Sequence, residues 1–227
     1  MRKICVLLLV CFGLVTPIAA PAEGIGLDAL SPKTARMIRD AVNQANRDFK
    51  NLPQVRLSID VTAICSGDDQ TNRLMRYCTS QNTIFVSSFL NGRVESRDAA
   101  GYMIAHMLGH GVQVRNGVAD KALAMIRADP DNVAELRGMV ERQVECIAGV
   151  IYARAGYDPA MRLRDINGGQ EVFADKHWGR NPLTAAQIVR IGPEASERWF
   201  ETGRDAGDYS VCSVGKITYE MLRPALN

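Results

Sequence analysis

A large excess of charge of either sign is missing from this chain: 27 Lys and Arg stand against 25 Asp and Glu in 227 residues. Arg2 and Lys3 supply the surplus, so the rest of the chain is close to neutral. A nucleic-acid binder or a protein held on an anionic membrane needs a basic face, and neither partner is expected here. Long apolar runs are equally scarce. Ile4 to Val15 is the one candidate, too short to cross a bilayer comfortably, and no later segment rivals it. Histidine is rare as well, with three in the chain. There is no internal repeat and no low-complexity tract.

What is there begins with an export signal. Arg2 and Lys3 form a charged start, Ile4 to Val15 the apolar run, and Ala20-Pro21-Ala22 a small-residue cleavage site. Residues 1–22 therefore read as a signal peptide, and 23–227 as a single domain large enough for a sizeable core. The expected location is periplasmic or secreted, with no transmembrane segment after cleavage; the alternative is an N-terminal segment that stays as an anchor.

Cleavage leaves Cys65, Cys78, Cys146 and Cys212. An even count in an exported chain points to two disulfides, and sequence alone allows three pairings. The favoured arrangement is Cys65–Cys78, across a polar loop between strand-like runs, with Cys146–Cys212 tying the C-terminus to a core helix. Free buried thiols and a metal role for Cys146 are the alternatives.

The spacing predicts a mainly helical α+β protein with a small sheet near the N-terminus. Ser31-Pro32 starts a helix, Ser as cap and Pro at the first position, and Ile38, Ala41, Val42, Ala45 and Phe49 follow at helical spacing. Val55, Leu57, Ile59 and Val61 alternate as a half-buried strand, and Thr83 to Ser87 reads as a second. A helix capped by Ser96 is expected to run to about Gln113. Asp129-Pro130-Asp131 breaks the chain before a long helix over 132–154 that stops at Gly156, and Asp158-Pro159 starts a short one. The stretch 164–182 reads as loop with a little helix, and helices are expected over 184–191 and 194–203.

His106 and His110 stand four apart on the predicted 97–113 helix. One turn, roughly 6 Å of rise, points both imidazoles at one spot. Zinc is held this way in His-Glu-x-x-His proteases, where the Glu serves as general base. Here Met107 occupies that position, and a thioether cannot take a proton. A third ligand is available in Glu141, with Glu145 one turn further on the same face. Glu145 would then hold the outer nitrogen of a ligand histidine, or stand in as a surrogate base. Ala148-Gly149 would let the two helices approach closely. The competing reading is two histidines on an amphipathic helix and a solvated Glu face.

At these residues the chain resembles the bacterial neutral zinc metallopeptidase family. The family's helix, approximately Ile-Ala-His-Glu-x-Gly-His-His-Val-Gln, is matched by Ile104 to Gln113. Its Glu-x-Gln-Ala-Asp-Cys-x-Ala-Gly motif is similar to Glu141 to Gly149, and its Trp-Phe, Gly-Asp and cysteine to Trp199-Phe200, Gly207-Asp208 and Cys212. The likeness runs over about residues 35–215. It implies a zincin-like metallopeptidase architecture, with His106, His110 and Glu141 as zinc ligands and Glu145 in place of the motif's Asp. The departures are Met107 for the base, Gly111 for a second histidine, and Val189 to Gly192 where the family has His-Gly.

The resulting expectation is a zinc-binding pseudopeptidase with little or no proteolysis, taking a peptide or protein in the old cleft. The rivals are an active peptidase with a non-standard base, and a metal-free structural or interaction domain. His177 reads as a loop residue beside Trp178, Tyr102 as packing, Trp199 and Phe200 as core, and Arg162-Leu163-Arg164 as a solvated helix face.

Overall fold

The computed structural model describes residues 26–61, 64, 74–92, 97–166, 175–176 and 188–212. The elements are α1 (Pro32–Asp48), β1 (Gln54–Ser58), β2 (Met75–Cys78), β3 (Thr83–Ser87), α2 (Arg97–Arg115), α3 (Val118–Ala128), α4 (Val133–Arg154), α5 (Leu163–Ile166), β4 (Asp175–Lys176), β5 (Ile188–Val189) and α6 (Pro193–Ala206). The protein is mainly helical with a small mixed sheet, as its periodicity requires. The strand order is β1-β3-β2. β1 runs parallel to β3 with Gln54 opposite Thr83, and β2 runs antiparallel to β3 with Cys78 opposite Thr83.

α1 begins as expected: the Ser31 hydroxyl accepts from the Thr34 amide, and Pro32 occupies the first turn. Its buried stripe of Ala35, Ile38, Ala41 and Ala45 faces the core. α2 is different, because residues 99–113 are buried on every side. A helix without a polar face belongs in the middle of a domain, and α2 packs against α1, α4, α3 and β2.

Three expectations fail locally. The first strand ends at Ser58, leaving Ile59 exposed. The short helix begins at Leu163, five residues beyond Asp158-Pro159. The helix expected over 184–191 is contradicted at its C-terminal end, where Ile188 and Val189 pair antiparallel with Lys176 and Asp175. Two β-branched residues suit a pleated edge better than a last helical turn. Residues 1–22, Ser96, His177 and Trp178 lie outside the described residues.

Cys146 and Cys212 form a disulfide, as favoured from the sequence, so Cys146 is neither a free thiol nor a metal ligand. Cys78 is disulfide-bonded too, and Cys65 lies outside the described residues. Gly149 and Gly203 set the contact between α4 and α6. A methyl group on Gly149 would overlap the Phe200 carbonyl, and one on Gly203 the Cys146 carbonyl. Gly149 therefore brings α4 to α6 rather than to the histidine helix. The glycine that admits α4 to α2 is Gly109, whose missing side chain would sit 3.1 Å from the Val144 carbonyl oxygen.

Candidate metal centre

α2 and α4 lie antiparallel, which their side-chain pairs show. Tyr102, early in α2, meets Glu145, while Gln113, eleven residues on, donates to the Val140 carbonyl and to Gln143 Oε1. His106 and His110 sit between these two tethers. Their spacing of four puts both rings on the α4 side of α2, with centroids 5.0 Å apart. Glu141 stands opposite on α4, its Oε1 3.8 Å from His106 Nε2. One ligand atom from each of His106, His110 and Glu141 falls within 4.8 Å of the others, and all three residues are buried.

That donor set fits zinc. Two imidazoles and one carboxylate leave a fourth position open, and zinc bonds of about 2.0–2.1 Å in a tetrahedron separate ligand atoms by roughly 3.3 Å. The 3.8 Å pair is near this spacing, so a small rotation of side chains suffices.

Glu145 completes the arrangement. Its Oε2 lies 3.5 Å from His106 Nδ1, so a carboxylate faces each nitrogen of that ring. A carboxylate behind a ligand histidine fixes its tautomer and raises its basicity. The Tyr102 hydroxyl donates to both oxygens of Glu145, at 2.9 and 3.1 Å. Burial pushes the Glu145 carboxyl above the usual carboxylate range, opposed by the His106 ring and the Tyr102 hydrogen bond. Tyr102 itself stacks edge-on against Phe200 and His106. Packing was expected of it; its grip on Glu145 was legible only once the helices were known to be antiparallel.

Met107 is 2 % exposed and belongs to the hydrophobic core. No ionisable group stands at the position after the first histidine. Gly111 is pressed against Pro53, and a side chain there would overlap the proline ring. Ile191 lies against Gly138 of α4. Phe200 is fully buried and Trp199 packs against the core, so neither offers an open platform. Arg162 and Arg164 are exposed, as the solvated-face reading expects, with Arg164 paired to Glu197 at the surface, and only Leu163 between them is buried. Sequence reasoning passed over Arg137, which is buried one turn before Glu141. The row Arg137-Glu141-Glu145, each four apart, was the available signal.

The buried His-His-Glu group between antiparallel helices defines a zinc-peptidase-type protein. The family model described as "Putative neutral zinc metallopeptidase" matches residues 29–214, and the chain belongs to this family. It is similar to the "Uncharacterized protein YpfJ" of Escherichia coli strain K12, with 26% identity over 153 residues, covering 61% of this chain and 53% of that protein. The protein of the same name from Escherichia coli O6:H1 matches to the same extent. The chain thus spans about half the length of the curated relatives it matches. No solved structure matches it.

Proposed function

We propose that this chain is an exported, zinc-binding pseudopeptidase: a member of a metallopeptidase family that keeps the metal and has given up most of the hydrolysis. The observation that carries the reading is the buried His106–His110–Glu141 group beside an apolar Met107. In this reading residues 1–22 direct export and 23–227 form one domain. The Cys146–Cys212 disulfide supports an oxidising compartment, and among the described residues no helix is long and apolar enough to cross a membrane.

Zinc at this site would polarise a peptide carbonyl and make water more acidic. The protein's share is to hold the ligands, exclude bulk water and supply a base. His106, His110 and Glu141 do the first, and burial does the second. The base is the missing part, and its loss typically lowers rate by about 100- to 10,000-fold. Glu145 is a poor substitute, because both of its oxygens are engaged by Tyr102 and one faces His106. Met107 is close to Glu in length and apolar, so the helix keeps its packing without the chemistry. A peptide or protein segment is the occupant this reading assigns to the site.

The test compares the wild-type chain with Met107→Glu for zinc content and for hydrolysis of a peptide library. About one equivalent of zinc is expected in both, with cleavage at least 100-fold faster in the variant. Wild type cleaving as fast as the variant would identify an active peptidase. Zinc near zero in both would identify a metal-free domain.

A further inference from the structure

Arg137 is 2 % exposed, and its Nε and Nη1 are buried without a hydrogen-bond partner among the described residues. Burial pushes its guanidinium below the ordinary arginine value, yet arginine keeps its proton at any physiological pH. The chain therefore maintains an enclosed cation with two unused donors. Such a group costs several kcal/mol when it has no anion, and an apolar residue of similar size would avoid the cost. Other arginines behave otherwise: Arg142 pairs with Glu135, Arg164 with Glu197 and Arg154 with Asp48.

Its position says what the donors are for. Arg137 precedes Glu141 by one turn on the same row of α4, roughly 6 Å along the axis. The antiparallel packing puts it at the His110 end of the site, opposite the end that Tyr102 and Glu145 close off. Near it the Gln113 amide bridges α2 to α4 at Val140 and Gln143, and Ile191 abuts Gly138, the next residue along α4. A planar fork of donors one turn from Glu141 matches a carboxylate, which accepts two parallel N–H bonds.

We propose that Arg137 anchors a carboxylate of the peptide bound beside His106, His110 and Glu141, a proposal that rests on the peptide-binding reading above. The carboxylate is either the C-terminus of the peptide or an acidic side chain within it. In both cases Arg137 selects which end or residue of the peptide lies over the metal group, and it does so without taking part in bond making.

The experiment uses the full chain, immobilised, and three N-acetylated random hexapeptide libraries. One lacks Asp and Glu and has free C-terminal acids, the second is the same library amidated, and the third is amidated but contains Asp and Glu. Wild type is expected to retain one carboxylate-bearing library about ten-fold or more over the neutral one, and the library retained identifies the source. Arg137→Met should bring retention to parity while its zinc content is unchanged and its Tm equal to or above wild type. Equal retention of all three libraries by wild type overturns the proposal. So does discrimination that survives in Arg137→Met, or a Tm that falls in Arg137→Met and recovers in Arg137→Lys with no discrimination in wild type. Zinc content separates this result from the reading beneath it: a zinc-free chain that still discriminates keeps the Arg137 site and loses the metal, and a zinc-loaded chain that does not discriminate does the reverse.

Discussion

On one side of α4 the contact with α6 is made from glycine, sulfur and aromatic carbon. Gly149 and Gly203 let the backbones touch, Cys146 is bridged to Cys212, and Phe200 stacks on Tyr152 and Tyr102. On the other side, the contact with α2 encloses His106, His110, Glu141 and Glu145, all buried. Dry close packing stabilises a helix pair, whereas enclosing ionisable groups costs free energy unless they are paired or hold a metal. One helix thus carries a face that holds the domain together and a face whose upkeep draws on the first. A chain that had abandoned its metal would gain stability by replacing the second face with Leu and Ile.

The sharpest way to break this division is at the α6 contact. Gly203→Val places branched carbon onto the Cys146 carbonyl, and α4 cannot retreat without opening the metal group on its far side. A loss of at least about 5 kcal/mol is expected, enough to unfold a domain of ordinary stability; circular dichroism and the yield of folded protein would report it. A variant that folds and melts like wild type would mean that the two helices are not in backbone contact.

Next in size is the disulfide. Cys146 and Cys212 lie 66 positions apart, and closing a loop of that length stabilises by about 4 kcal/mol in the chain-entropy picture. Replacing both cysteines by Ser should lower the urea midpoint accordingly. Because the bridge leaves α4 on the α6 side, zinc content in the surviving folded fraction should stay near wild type. A double variant that folds normally but loses its zinc would show the two faces to be less separate than the geometry indicates.

Much of this was legible in the chain itself. Ser31-Pro32 fixed the start of α1, alternation and β-branching marked β3 at its full length, and Asp129 to Asp131 with Gly156 bracketed α4. The metal group was readable because both of its halves rest on the local rule that residues four apart share a helix face. What escaped depends on distant partners. β2, Met-Arg-Tyr-Cys, has too little pattern to distinguish strand from loop and exists because β3 offers it a ladder. α3 has a thin stripe of Val118, Ala122 and Ile126 that is easily overlooked without its neighbours. Gly149 was recognisable as a close-contact position, but a sequence does not say which neighbour a small residue admits. Arg137 was overlooked because arginine at helical spacing ordinarily reads as solvated, and its burial comes from the surrounding elements.

The smallest effects test the α2 face. Glu145→Gln keeps the volume and removes the charge behind His106, and such changes typically lower metal affinity by about 10- to 100-fold. Tyr102→Phe removes one hydroxyl a further step back. Glu145 then keeps its approach to His106 Nδ1 but loses the hydrogen bond that Tyr102 donates. A hydrogen bond to a charged group contributes about 1.5–3 kcal/mol, shared here between fold stability and the aim of the carboxylate. The zinc dissociation constant, read by competition with a chelator, should therefore rise less in Tyr102→Phe than in Glu145→Gln. In the double variant the Tyr102 change should add almost nothing, because its effect passes through the carboxylate. Fully additive losses would instead make Tyr102 a packing residue against Phe200 and sever it from the metal group.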